Sequence, residues 1–186
     1  MALMQINQAY KPYVTTDKRI NVFYGGAGSG KSKFVVQKMI IKLLQDKRKC
    51  LVIRKVQATI KDSIFMEFIT LLGELNILNK CHVNKSDLNI TLPNGSSLIF
   101  KGLDDKEKIK SISGIDDIII EEATELTLDD FTQLNLRLRS DKDNLQIHLM
   151  FNPVSKANWV YNTFFESNAF GALIVKTTYK DNHFLP

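Results

Sequence analysis

An α/β fold with a largely parallel sheet covered by helices on both faces is predicted by three features of this 186-residue chain. Short apolar, β-branched runs alternate with stretches of helical periodicity for most of the length, the pattern of strands joined by crossover helices. One strand–loop–helix junction carries Gly25-Gly26-Ala27-Gly28-Ser29-Gly30-Lys31-Ser32. A later apolar run ends in two adjacent carboxylates, Glu121 and Glu122.

In chain order, Ile20 to Tyr24 reads as a buried strand and Phe34 to Leu44 as a helix. Cys50 to Ile53 is a second strand. From Thr59 to Leu78, apolar residues recur at three- and four-residue intervals, which predicts an amphipathic helix. Leu88–Leu92 and Ser97–Phe100 flank Pro93-Asn94-Gly95-Ser96. That is a β-hairpin insertion, with Asn94-Gly95 expected to supply positive φ angles. A charged stretch, Asp104 to Lys110, leads into the strand Ile118–Ile120. Thr127-Leu128-Asp129-Asp130 has the form of a helix start for a segment to Arg139. Leu145–Phe151 reads as a strand, Lys156–Glu166 as a helix and Ala172–Thr178 as a final strand.

The glycine-rich segment has the spacing G-x-x-x-x-G-K-[ST], here between a strand and a helix. Glycines let successive backbone N–H groups curl inward around phosphates, and the helix start adds its positive dipole end. Gly25, Gly26, Ala27, Gly28, Ser29, Gly30, Lys31 and Ser32 are therefore the candidate phosphate loop. Lys31 is expected to reach the β- and γ-phosphates, and the Ser32 hydroxyl to ligate Mg²⁺. Glu121 is assigned to the Mg²⁺ shell and Glu122 to polarising the attacking water, because successive strand residues point to opposite faces. A second acid beside the metal acid points to the strand-inserted, RecA/ASCE-like type of P-loop NTPase, which includes helicases and translocases. No guanine-reading Asn-Lys-x-Asp motif is assigned.

Hydrophobic content of 44% and charged content of 24% are ordinary for a globular domain with a full core. No apolar run is long enough to cross a bilayer, and no membrane partner is expected. Cys50 and Cys81 lack metal-ligand spacing and read as free thiols. The net charge of +5 suits a polyanionic partner without demonstrating one. Lys47-Arg48-Lys49 is read as a solvated cap on the first helix, complementing its dipole, with a DNA contact the alternative.

Three phrases then make a family resemblance specific: the phosphate loop, Ile118-Ile119-Ile120-Glu121-Glu122-Ala123-Thr124-Glu125-Leu126, and Leu149-Met150-Phe151-Asn152-Pro153. Supporting phrases are Leu51–Lys55, Phe100–Asp105, Leu136–Ser140 and Asn158–Tyr161. Together they resemble the ATPase domain of the tailed-phage terminase large subunit, over about Tyr10 to Pro186. The resemblance implies ATP hydrolysis that powers translocation of double-stranded viral DNA into the procapsid, in the host bacterial cytoplasm. It implies ATP and Mg²⁺, a terminase small subunit, a portal protein and self-association into a ring. It gives Lys31 and Glu122 catalytic roles and makes Asn152 a coupling residue that senses the γ-phosphate, although Asn before Pro equally marks a plain turn.

Residues 1–178 are expected to form the ATPase domain and 179–186 to begin a linker to an absent nuclease domain. Ala27 stands where many such proteins carry Arg, so a charge-neutralising residue is expected elsewhere; Arg54, Lys110, Arg137 and Arg139 are the candidates. Gln8, Tyr10 and Tyr13 are candidates for adenine contact, with core packing the alternative for the aromatics. A helicase-like ATPase and a nucleotide-gated assembly module without turnover are the competing readings.

Overall fold

The computed structural model describes residues 4–104, 109, 111–153, 155–168 and 170–185. Its strands are β1 (Ile20–Tyr24), β2 (Lys49–Arg54), β3 (His82–Asn84), β4 (Asn89–Thr91), β5 (Ser97–Gly102), β6 (Asp117–Glu121), β7 (Gln146–Phe151) and β8 (Leu173–Lys176). They form one sheet in the order β3-β4-β5-β2-β6-β7-β1-β8. The six strands from β5 to β8 in that order run parallel, and β3-β4-β5 is an antiparallel extension at one edge. Strand β7 lies between β1, which feeds the glycine-rich loop, and β6, which ends in the acid pair. That is the inserted-strand order the acid pair predicts.

The helices are α1 (Lys31–Gln45), α2 (Ile64–Glu74) and α3 (Leu128–Arg137). Alternate strand residues feed two cores because successive side chains point to opposite faces. Phe23, Val52, Ile119 and Met150 pack against Phe34, Met39 and Leu43 of α1 and Phe65, Phe68 and Leu72 of α2. Val22, Leu51, Ile118, Ile120, Ile147 and Leu149 pack on the other face against Phe131 and Leu134 of α3 and against Phe164. Burying each such side chain contributes about 1.5–3 kcal/mol, so the parallel strands are locked in place from both sides.

Several boundaries differ from the sequence reading. The helix expected over Thr59–Leu78 is confined to Ile64–Glu74, with 3₁₀ turns at Gln57–Thr59 and Leu78–Lys80. Amphipathic spacing alone does not separate an α-helix from flanking turns that bury Ile60 in the same core. The segment read as a helix over Lys156–Glu166 is helical only from Trp159, and its last six residues form a π-helical turn. Strand β3 carried no sequence signal of its own, being three residues long. Thr127 and Asp130 do form the expected capping box at the start of α3.

The β4–β5 hairpin turns as predicted, but only Gly95 takes a positive φ, +82°. Gly95 donates its N–H to Leu92 O and Leu92 to Ser96 O, a three-residue loop that needs one left-handed residue. Asn94 instead uses its side chain, donating to Leu43 O and accepting from Ser96 N–H.

Within the basic run after α1, Lys47 is exposed as read, but the reading is corrected at Arg48. Arg48 is buried, and its guanidinium donates through Nε to Asp117 Oδ2 at 2.7 Å. Lys42 Nζ reaches Asp117 Oδ1 at 2.5 Å. Asp117 is fully buried at the start of β6, so the charges of the α1 end are spent on a carboxylate inside the fold. Cys50 is buried and Cys81 half-buried; both are free thiols.

Candidate nucleotide site

Strand register gathers the predicted residues at one edge of the sheet. Tyr24 pairs with Phe151 and Glu121 with Met150. The chain therefore leaves β1, β7 and β6 at nearly one level, through Gly25, Asn152 and Glu122. A crevice at the carboxyl ends of parallel strands is where open α/β sheets bind ligands.

The loop between β1 and α1 needs its glycines for two distinct reasons. At Gly25 a Cβ would lie 2.0 Å from Thr177 O, so no side chain fits between the loop and the end of β8. Gly28 and Gly30 hold φ of +74° and +80°, the left-handed region open to glycine. Gly30 is also the N-cap of α1, and Phe34 N–H closes the first helical turn on Gly30 O. The N–H groups of Gly30, Lys31, Ser32 and Lys33 accordingly have no acceptor within the helix. Together with the helix dipole they suit an anion.

Lys31 is 9% exposed, and its Nζ donates to Asn152 Oδ1 at 2.8 Å. Burial pulls the Lys31 ammonium below the usual lysine range, and the Glu122 and then Glu121 carboxylates push it back up. Both carboxylates thus act electrostatically on the loop lysine. Ser32 follows Lys31 in the first turn of α1 and is half-buried.

Glu121 ends β6 on the face toward α1 and α2. Its Oε2 accepts from Ser63 Oγ at 2.9 Å, and Arg54 Nη1 stands 3.6 Å away. Burial raises the Glu121 carboxyl above its ordinary value, while Ser63 and Arg54 lower it. Glu122 lies just beyond the strand with φ +51° and ψ +51°. A left-handed conformation costs a non-glycine residue about 1–2 kcal/mol, and such outliers cluster at functional sites.

A hydroxyl at the start of α1 and a carboxylate at the end of β6 are hard oxygen donors. They fit Mg²⁺, which takes one or two carboxylates and completes its shell with water and phosphate oxygens. Among the described residues no cluster of three or more His, Cys, Asp or Glu side chains could hold a metal alone. An ion held here would share its ligands with a nucleotide.

The remaining candidates separate. Arg54 sits beside Glu121 and donates to Thr59 O. Arg137 ends α3, Arg139 is exposed two residues later, and Lys110 lies outside the described residues. Tyr10 is fully buried, with its ring stacked on Phe34 at 4.5 Å between centroids, so it offers no free face to a base. Tyr13 packs against the same core and Gln8 is exposed. A cavity of about 340 Å³ adjoins the loop at Gly30 and Lys33, lined further by Asn7, Gln37, Leu71, Glu74, Asn182 and Phe184.

Asn84-Lys85-Ser86-Asp87 does spell Asn-Lys-x-Asp, which corrects the reading that assigned no such motif. It forms the β3–β4 turn, where Asn84 bonds the Asp87 carboxylate and the N–H groups of Ser86 and Asp87. Five strands separate β3 from β1, so these residues do not read a base at the loop.

Four contacts had no sequence signal because they join distant positions. The Tyr10 hydroxyl donates to Ser29 O at 3.1 Å and meets Thr177 Oγ1 at 2.5 Å. Asn182 Nδ2 donates to Gly28 O at 2.8 Å. Ser63 reaches Glu121 from the start of α2. The segment after β8 therefore folds back on the loop. The expected division at residue 178 falls inside a capped turn in which Asp181 accepts from Thr178.

A family model described as phage terminase large subunit matches residues 17–186. The PBSX phage terminase large subunit of Bacillus subtilis strain 168 is 37% identical over 166 residues, 89% of this chain and 38% of that protein. The terminase large subunit of Bacillus phage SPP1 is 38% identical over 92 residues, 49% of this chain and 22% of that protein. The chain thus spans well under half the length of these curated relatives. A large terminase from a thermophilic bacteriophage superposes with a TM-score of 0.85 at 14% identity, covering 98% of this chain and 48% of that one. The large terminase ATPase domain of Thermus phage P74-26 gives a TM-score of 0.63 at 16% identity, covering 81% and 65%. Among the described residues no helix is long and apolar enough to cross a membrane.

Proposed function

The chain belongs to the phage terminase large subunit family, and on that premise we propose that it hydrolyses ATP to drive double-stranded DNA into a viral procapsid. One observation carries the nucleotide half of this reading. The loop lysine, Asn152 and two carboxylates meet at the ends of β1, β7 and β6, with Lys31 bonded to Asn152 and under the field of both acids. The large terminase of the same thermophilic bacteriophage has been solved in complex with ATP-gamma-S and with ADP, which supports ATP as the ligand.

The Gly30 to Lys33 N–H groups would bind phosphate oxygens, and Lys31 would exchange Asn152 for the β- and γ-phosphates. Ser32 and Glu121 would hold Mg²⁺, which would supply charge neutralisation at the phosphates. Glu122 would accept a hydrogen bond from the attacking water and take up its proton. Asn152, freed when Lys31 turns to phosphate, would report γ-phosphate loss along β7. Arg54 is the favoured neutralising cation of those proposed, because it already stands beside Glu121. The cavity at Gly30 is the proposed seat of the base.

Residues 1–178 are proposed as the motor core and 179–186 as the start of a connection to a nuclease domain. Double-stranded DNA, a small subunit, a portal protein and ring neighbours are the proposed partners, in the host cytoplasm. Phosphate release with ATP and Mg²⁺, measured with and without double-stranded DNA, tests the reading. Wild-type protein is expected to turn over, Lys31→Ala to lose binding and turnover, and Glu122→Gln to bind without turnover. Undiminished phosphate release by Glu122→Gln would remove the assignment of the base. Nucleotide binding without release under all conditions would favour the assembly-module reading.

A further inference from the structure

We propose that Tyr10 is a positioning residue for phosphate binding: its hydroxyl holds the Ser29 carbonyl on the outside of the loop and so aims the Gly30 N–H inward. This rests on the nucleotide reading above and assigns it a residue outside the glycine-rich motif.

A planar trans peptide puts a carbonyl and the following N–H on opposite sides of the chain. Fixing Ser29 O therefore fixes the direction of the Gly30 N–H, the first of the four N–H groups that α1 leaves without an internal acceptor. Gly30 itself resists nothing, since its φ of +80° lies where glycine moves freely. The restraint has to come from a neighbour, and Tyr10 supplies it. Its ring is fully buried, stacked on Phe34 at 4.5 Å and edge-on to Phe23 at 6.2 Å. A phenylalanine would fill that space equally, so packing explains the ring and not the oxygen.

The hydroxyl has one proton, which goes to Ser29 O at 3.1 Å. The 2.5 Å contact with Thr177 is then a bond donated by Thr177 Oγ1 to the tyrosine oxygen. Thr177 is 4% exposed and anchored to the sheet, its N–H donating to Tyr24 O. Its carbonyl packs where a Gly25 Cβ would be. On the neighbouring peptide Asn182 holds Gly28 O in the same way. Two successive loop carbonyls are thus gripped from outside by residues far away in sequence.

The test uses Tyr10→Phe, which keeps the ring, and two probes: a fluorescent ATP analogue and inorganic tripolyphosphate, each with Mg²⁺. Freeing the Ser29 peptide is expected to weaken both probes by about tenfold with kcat at saturating ATP little changed, and the unpaired Ser29 O and Thr177 hydroxyl are expected to lower the melting temperature without nucleotide by roughly 2–4 °C. Thr177→Val should weaken both probes by a smaller factor and Thr177→Ser should restore them. This pair carries the test if Tyr10→Phe fails to fold. Wild-type affinity of Tyr10→Phe or Thr177→Val for tripolyphosphate would overturn the proposal, as would weakening confined to the ATP analogue, which would mark a base contact. If Lys31→Ala loses both probes while Tyr10→Phe keeps them, this proposal alone fails. If the wild-type chain binds neither probe, the nucleotide reading fails with it.

Discussion

Lys31 Nζ and Asn152 Oδ1 lie 2.8 Å apart, joining the glycine-rich loop to the end of the strand that separates it from the acid pair. The bond gives a buried ammonium a neutral partner that it can leave without abandoning a charge. A carboxylate at the same place would hold it more firmly, because it adds the attraction of a full opposite charge to the hydrogen bond.

Asn152→Asp is therefore expected to lower ATP affinity by about tenfold by retaining Lys31, while Asn152→Ala keeps affinity near wild type. Fluorescence titration of both variants checks the order. Equal affinities would show that Lys31 is not withdrawn from Asn152 when phosphate binds.

Glu122 pairs a strained backbone with the role proposed for it. At φ +51° a glycine would relieve about 1–2 kcal/mol, offset in part by its greater freedom in the unfolded chain, about 0.5–1 kcal/mol. Glu122→Gly is expected to melt at or above the wild-type temperature and to lose turnover by at least about 100-fold, the low end for a general base. A calorimetric scan and a phosphate-release assay on one preparation test both halves. A clear drop in melting temperature would mean that the Glu122 side chain stabilises the fold, not only the chemistry.

The parts of the site written in local spacing were legible in the sequence, and the parts made by long-range approach were not. Glycines at fixed intervals and an apolar run before Glu121-Glu122 each encode their own geometry. The alternation of strands and helices predicts a parallel sheet but not its order; the inserted strand that brings them together is legible only through the acid pair. Tyr10 against Ser29 and Thr177, Ser63 against Glu121 and Asn182 against Gly28 depend on how remote segments cross. Neither residue type nor periodicity announces such contacts. Arg48 shows the opposite error. A basic run beside a helix end reads as solvated until the fold places Asp117 within 2.7 Å of it.

Asp117 is the centre of that buried cluster, fully enclosed between Lys42 and Arg48, whose side chains are 14% and 5% exposed. Burial raises its carboxyl, and the two cations pull it down. Removing the carboxylate takes the buried counter-charge from both cations, a loss of about 3–5 kcal/mol for a buried pair. Asp117→Asn should show that destabilisation in urea unfolding. Replacing Lys42 by Met in the same background should restore part of it. A loss below about 1 kcal/mol, the range of exposed pairs, would show that water reaches the cluster.

His148 provides a pH test that bears on α1 from the other side. It is fully enclosed in β7, its ring facing Phe23, and neither ring nitrogen has a protein partner. Burial holds its imidazole well below the usual histidine value, and the charges of Lys38 and Lys42 add to the effect. The folded protein thus keeps His148 neutral where the unfolded chain binds a proton at about pH 6.5. Because the unfolded state then binds more protons, stability is full above that value and falls as the pH drops below it. The raised carboxyls of Asp117 and Glu121 act with the opposite sign as they protonate, so the wild-type curve alone mixes the two. The difference between wild type and His148→Phe isolates the histidine. Melting temperatures from pH 7.5 to pH 5 are expected to fall more steeply for wild type, with the divergence beginning near pH 6.5. Parallel curves would mean that His148 takes up its proton inside the folded protein, and that the space beneath α1 is open to water.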